Sequence, residues 1–466
     1  MDVILSLIRN FRTVRFEDIP SDAVEAAKKS VLDTLGTTLA GSKAQGSREV
    51  ISLVRDWGGK PEASVINHGD MLPLPNAVFA NAVMARAVDL DDLHEKATLH
   101  SSATIVPVAL GVAEYRHSIS GRDFITAIVL GNDLTSRLSL ASRISPAVTG
   151  ISYSYTHGIF GGAAVASRLL NLDEAQMRNA LGIAYSQGVG NRQANVDGAL
   201  TVRVQQGLTA KAGVISALLA KRGITGAQDV LQGKYGYYTV FERNDYSSGI
   251  LTDNLGKLFE GKNISFKLYA CCKFTHGAVE ATMEMAKKHG LTSGEIIEIR
   301  VGMNQQMYDL VCEPYAAKAN PKTAVDAQFS IYYTVASALV RGSVFIGDFN
   351  DQAIRDPKVL EVAHRVKAFV DPKLEKEFST GISPTTVAMR LKNGTILETR
   401  IDQVKGHPQK SVSLEEIFQK YKQCAIYAAN PLSEKQFSLM RETVFGLQKV
   451  KDVSFLLGLL KPERTV

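Results

Sequence analysis

Up to about residue 265 the chain carries helical texture almost without interruption, which restricts this half to helices packed on helices. Val24, Val31, Leu35 and Leu39 recur at helical spacing as far as Gly41, and Asp22 with Glu25 three residues later reads as a capping box. Residues 75–88 and 101–115 are small and apolar with no alternation, the composition of tightly packed buried helices. Further helices are expected over 121–143, 160–170, 173–187 and 207–222, where Ala, Gly and Ser permit close contact.

The texture changes after Asn263. Residues 295–303 (EIIEIRVGM) alternate in the period of a strand, and 386–391 and 395–401 flank Asn393-Gly394, read as a two-residue hairpin turn. Helical segments over 327–340 and around 359–364 lie between them, and 413–460 is helical again. A chain of 466 residues exceeds the roughly 250–300 that one core organises. The expectation is therefore a mostly α protein with an α/β insertion. A large all-helical domain, residues 1–266, is completed by the C-terminal segment 403–466, and a smaller α/β lid domain spans 267–402. Residues near 265 and 402 are the hinge candidates.

The charge balance narrows the partners. Fifty-three basic against 47 acidic residues leave +6 with no Lys/Arg block, which argues against a nucleic-acid surface and suits a small anionic substrate. Of the four cysteines, Cys271 and Cys272 are adjacent and Cys312 and Cys424 isolated, giving neither a disulfide framework nor zinc spacing. A cytoplasmic protein with no signal peptide and no membrane span is expected.

The densest chemistry lies in Asp89-Leu90-Asp91-Asp92-Leu93-His94-Glu95-Lys96-Ala97-Thr98-Leu99-His100, a loop between two buried helices. Carboxylates and imidazoles held at the edge of a core have proton affinities shifted toward use as acids and bases. A second imidazole, His157, ends a polar aromatic loop (YSYTH) at the Gly-rich start of a helix, where backbone donors welcome a carboxylate. Lys267 falls at the expected boundary between the two domains, a preferred place for ligands, and Lys211 and Arg203 add positive charge. His276, close to Cys271-Cys272, joins these as a substrate-binding candidate. The Cys-Cys-His grouping lacks a third ligand at metal spacing, so no metal is expected there. A rival reading takes Asp91-Asp92-Leu93-His94-Glu95 as the DDxxE magnesium motif of a chain that resembles a class I terpene synthase. Asn132-Asp133-Leu134-Thr135-Ser136 would begin its second motif, but Leu140 stands where the Glu should be.

Taken in order, DLDDLHEKATLHSS, YTHGIFGGAAVASRLL, DGALTVRVQQGLTAKAG, KLYACCKFTH and AQFSIYYTVASALVRG resemble the successive motifs of the MmgE/PrpD family, from about residue 10 to 460. The resemblance implies a large helical domain completed by the C-terminus around an α/β lid, a homodimer and no required cofactor. Activities in the family include dehydration of 2-methylcitrate, decarboxylation of cis-aconitate and epimerisation of iminodisuccinate. It implies that Asp89, His100, His157, Lys211 and Lys267 match active-site positions. On this basis His157 and His100 would be acid and base, Asp89 would fix one imidazole, and Lys211 and Lys267 would grip carboxylates. Departures are Leu93 at a frequent Thr, Val202 and Gln205 where the TKRLHxG form has Lys and His, and Ala270 and Tyr332 at frequent prolines. The expected activity is a dehydratase of a small hydroxylated di- or tricarboxylic acid. Decarboxylase and epimerase are the alternatives, and a member that has lost its chemistry is the non-enzymatic one.

Overall fold

The computed structural model describes residues 2–379 and 381–462. Helices Ser21–Gly41 (α1), Leu74–Arg86 (α2), Ser102–Arg116 (α3), Gly121–Ala141 (α4), Gly158–Leu169 (α5), Glu174–Tyr185 (α6) and Thr201–Lys221 (α7) build the first half. The helix α2 is buried all round from Ala77 to Arg86, as its small apolar sequence requires. Two neighbours touch its backbone through glycine. A Cβ at Gly41 of α1 would lie 2.0 Å from the Met84 carbonyl oxygen, and one at Gly207 of α7 would lie 2.6 Å from that of Phe79. Nothing larger than glycine allows either crossing.

Two local expectations change. Helix α1 starts after Pro20, and Asp22 does not cap it; its carboxylate accepts the neighbouring Ala23 N–H at 2.9 Å and lies 3.5 Å from Lys262 Nζ. Helix α7 starts at Thr201, six residues before Gly207.

The α/β part holds a four-stranded sheet of Ile296–Met303 (β1), Val366–Val370 (β2), Thr385–Leu391 (β3) and Ile396–Ile401 (β4), in the order β2-β1-β3-β4. Strands β1 and β2 are parallel; the other pairings are antiparallel. Strand β2, absent from the sequence reading, is short and mostly half-buried, so its pattern carries little signal. The β3–β4 turn spans three residues rather than two: Arg390 pairs with Ile396, Gly394 N–H donates to Leu391 C=O, and Gly394 takes a φ of 88°. Only the glycine needs positive φ in this turn, so the Asn-Gly pair makes a bulged turn. Helices His276–His289 (α8) and Ile331–Arg341 (α9) pack in the same unit.

Two apolar clusters organise the chain. One runs from Val3 to Phe266 and resumes from Val412 to Leu460, so helices Leu414–Ala425 (α10) and Glu434–Phe445 (α11) return to the first half. The other spans Ala270 to Val404 and also takes in Val88 and Leu90. Thus the loop after α2 buries Val88 and Leu90 in the α/β core, while its Ala97 and Leu99 pack with Tyr153 in a third, smaller cluster. A two-residue antiparallel ladder, Leu93–His94 against Ile264–Ser265, pins the same loop to the chain where it passes between the clusters.

Candidate active site

Arg86 ends α2, and its guanidinium is spent on the loop that follows. Its Nη1 donates to Asp89 Oδ1, forming a tight ion pair, and lies 3.1 Å from Asp91 Oδ1. Asp89 takes a left-handed φ of 53°, tolerable for an Asp, and this turns its carboxylate toward Lys267 as well. Lys267 Nζ lies 3.2 Å from Asp89 Oδ2 and donates to the Asp89 carbonyl at 2.9 Å. All four of these side chains are buried. Burial works to raise both carboxylates, but Lys267 and Arg86 outweigh it at Asp89, and Arg86 and His100 outweigh it at Asp91. Both stay ionised.

His100 completes the group. Its Nδ1 lies 2.9 Å from Asp91 Oδ2 and 2.7 Å from the Asp92 carbonyl, an arrangement that puts the ring proton on Nδ1 and leaves Nε2 with its lone pair. Ser154 Oγ accepts the His100 backbone N–H at 2.9 Å and fixes the residue further. Burial lowers the imidazole's proton affinity, Asp91 pushes it back up, and the net direction is down, so His100 is neutral near pH 7. An imidazole of this kind is a competent general base.

Behind this layer, Asp92 faces Asp33 of α1. Burial and then Asp33 push the Asp92 carboxyl up to about 8, and burial pushes Asp33 up to about 6 against the pull of Lys420. Lys420 Nζ, from α10, reaches Asp33 Oδ1 at 2.5 Å and the Leu90 carbonyl at 2.8 Å. Glu95 faces the other way: Ser265 Oγ donates to it at 2.6 Å, and Lys273 Nζ lies 3.2 Å away.

A pocket of about 100 Å³ is bounded by Arg86, Asp89, His100, Tyr155, Arg192, Lys267, Cys272, Lys273 and Phe329, among others, with Asp91, Asp92 and Glu95 set behind its walls. A larger chamber of about 470 Å³, between the loop and the α/β part, shares Thr98, Pro146 and Tyr153 as walls with it. Burial and then Asp89 push the Cys272 thiol up to about 11, so it is no thiolate nucleophile at neutral pH.

Of the residues singled out in the sequence, Asp89, His100 and Lys267 meet in this pocket. The others do not. His157 is fully buried and lines neither cavity; its Nδ1 pairs with Ser139 Oγ at 2.8 Å, and its ring lies 4.8 Å from that of Tyr153 and 4.7 Å from that of Tyr237. Burial alone pushes it down to about 3. Lys211 holds its ammonium 4.2 Å from the centre of the Trp57 ring and faces a separate surface groove, because α7 turns that face outward. Arg203 donates to the Gln45 carbonyl at 2.8 Å, and His276 Nε2 lies 3.2 Å from the Cys271 carbonyl, with Tyr269 against its ring. The partner of the pocket imidazole is Asp91, not Asp89, which is committed to Arg86 and Lys267.

Arg86, Lys273 and Arg192 escaped the sequence reading as site residues, and Asp91 entered it only as part of the acidic loop and the DDxxE motif, not as the partner of His100. Arg86 was legible in principle, since a cation closing a helix three residues before Asp89 is placed to pair with it. The DDxxE carboxylates do not converge: Asp91 is held by Arg86 and His100, Asp92 faces Asp33, and Glu95 faces Lys273. Asp133, in the second part of that motif, is paired with Arg137 at 2.8 Å. Among the described residues no group of three or more His, Cys, Asp or Glu could hold a metal ion. Nor is any described helix long and apolar enough to cross a membrane.

The family model for the MmgE/PrpD N-terminal domain matches residues 7–248, and that for the MmgE/PrpD C-terminal domain matches residues 269–444. A cis-aconitate decarboxylase of Aspergillus terreus is 26% identical over 464 residues, 95% of this chain and 93% of its own length. The cis-aconitate decarboxylase of Homo sapiens is 26% identical, over 94% of this chain and 90% of its own. A mitochondrial 2-methylcitrate dehydratase of Yarrowia lipolytica is 23% identical, over 84% and 77%.

Proposed function

The chain belongs to the MmgE/PrpD family, and from that premise we propose that it is a lyase of a small unsaturated tricarboxylic acid, acting by decarboxylation with His100 as the proton-moving group. One observation carries the reading: of the two imidazoles expected to serve as acid and base, only His100 lines the pocket. Dehydration needs a group to take the α-proton and another to protonate the departing hydroxyl, and epimerisation needs groups on both faces. Decarboxylation needs one donor. The bond to the departing carboxylate breaks, its electron pair delocalises over the neighbouring double bond, and the resulting carbanion takes a proton from His100 in its imidazolium form. A polyanionic substrate raises the proton affinity of His100 and so supplies that form. Lys267 and Lys273 offset the negative charge that develops. The similarity to cis-aconitate decarboxylases at 26% over nearly the full chain supports this reading.

A second reading, dehydration of a hydroxylated acid, is favoured by the neutral state of His100 in the unliganded pocket, which suits a base. The homodimer, the cytoplasmic setting and a 267–402 unit acting as a lid belong to the same proposal. Proton NMR in deuterated water against cis-aconitate, citrate and 2-methylcitrate, with and without EDTA, tests it. Consumption of cis-aconitate with deuterium in the product, unaffected by EDTA and lost in His100→Ala, is the expected result. Turnover of the hydroxy acids alone selects the second reading, and an inert panel overturns both.

A further inference from the structure

The charges around the inner pocket do not cancel. Arg86 and Lys267 face Asp89 and Asp91, and Lys273 faces Glu95. His100 and the Cys272 thiol are neutral near pH 7. Arg192 also lines the pocket, and its Nη1 is buried with no hydrogen-bond partner among the described residues. No carboxylate acts on it, and burial pulls its proton affinity down. Lys318 lies beyond, its ammonium 5.9 Å from the centre of the ring of Phe329, another pocket wall. Arg192 is half-buried as a residue, but a buried guanidinium nitrogen with an open N–H is costly to hold unless an anion arrives to meet it.

The backbone around Arg192 is fixed for the purpose. Gln205 accepts the Asn191 N–H at 2.9 Å and donates to the Asn191 carbonyl at 3.2 Å, and Arg192 N–H donates to Gly150 C=O at 2.9 Å. Gln205 and Val202 are the two positions where this chain departs from the Lys and His of the resembled motif. Val202 brings no charge, and its carbonyl accepts the Tyr155 hydroxyl at 2.5 Å behind the pocket wall. Gln205 turns away from the pocket and clamps the residue before Arg192.

We infer that Arg192 binds a carboxylate of the substrate other than the one that reacts, so that the pocket takes an acid with at least two carboxylates. The inference rests on reading the inner pocket as the substrate site. Lys267 and Arg192 reach the pocket from different segments of the chain, so each can hold its own carboxylate. A guanidinium meets a carboxylate with two parallel hydrogen bonds and sets its plane, which an ammonium cannot do.

The test is calorimetric titration with propane-1,2,3-tricarboxylate, which has no double bond or hydroxyl to react, on wild type, Arg192→Gln and Arg192→Lys. Loss of a charged hydrogen-bonded contact predicts affinity weakened about 30-fold in Arg192→Gln, with Arg192→Lys intermediate. The melting temperature of the unliganded protein should hold or rise, because the open charge is gone. With a turned-over acid, KM should rise in Arg192→Gln while kcat changes little. Equal affinity in wild type and Arg192→Gln overturns the inference, as does a fall in unliganded melting temperature that accounts for the lost binding. Because the titration needs no turnover, an inert substrate panel overturns the proposed reaction without deciding Arg192.

Discussion

Two segments each carry an imidazole into the interior, and they do opposite things with it. In residues 89–100 the ring lies against an ionised carboxylate, with Arg86 and Lys267 holding the charges around it, and it opens on the pocket. In residues 139–157 the ring is enclosed by Tyr153 and Tyr237, meets one hydroxyl and faces no ionised partner close enough to shift it. Burial is common to both. What separates them is the countercharge: Asp91 offsets part of the burial penalty at His100, while burial alone pushes His157 down to about 3. A buried histidine is catalytic equipment only when something nearby sustains its charged form.

The largest effect should separate the two rings directly. His100→Ala is expected to lower kcat/KM about 1,000-fold, within the range for a removed general acid or base, and His157→Ala much less. Steady-state kinetics on the turned-over acid decide it, and equal losses would mean that Tyr153 swings aside during turnover. Next, Arg86→Met leaves Asp89 and Asp91 buried beside each other with less cation, and should cost about 3–5 kcal/mol of unfolding free energy by urea denaturation. His157→Ala should cost about 2–3 kcal/mol through the emptied ring site and lost stacking.

The remaining effects are in pH. His157 takes a proton at about 3 in the folded chain and near 6.5 unfolded, so the unfolded state binds more protons between those values and stability is lost as pH falls through that window. Asp92 has the opposite sign. Its folded value of about 8 lies above the unfolded value of about 4, so the folded state binds more protons and stability falls as pH rises from about 4 to about 8. Asp92→Asn should flatten the second slope and leave the first, measured as urea midpoints across that range.

The helices, the strand at 296–303 and the acidic loop were legible because each is a local pattern. Burial of α2 follows from its own composition, and the loop's position from the helices on either side. The roles of Asp89 and Asp91 were not legible, since a left-handed φ at Asp89 decides which carboxylate faces the imidazole. The fate of Lys211 depends on Trp57, more than 150 residues earlier, and no spacing rule connects them. The enclosure of His157 was partly readable: Tyr153 precedes it by four residues, one helical turn, where rings stack. Arg192 gave no signal, because its distinction is a missing partner, which only the folded arrangement reveals.

Lys420 has a consequence in time. The Leu90 carbonyl and Asp33 are held by a side chain 330 and 387 residues further on. At about 5–20 residues per second, roughly 15–65 s of synthesis separate the making of the loop from the making of its support. Throughout that interval the growing chain holds Asp33 and Asp92 without the Lys420 ammonium, and the helical core still lacks the two helices that return to it. A chain stopped short of Leu414 would therefore lack both the ammonium at Asp33 and part of the core that holds the loop's helices in place.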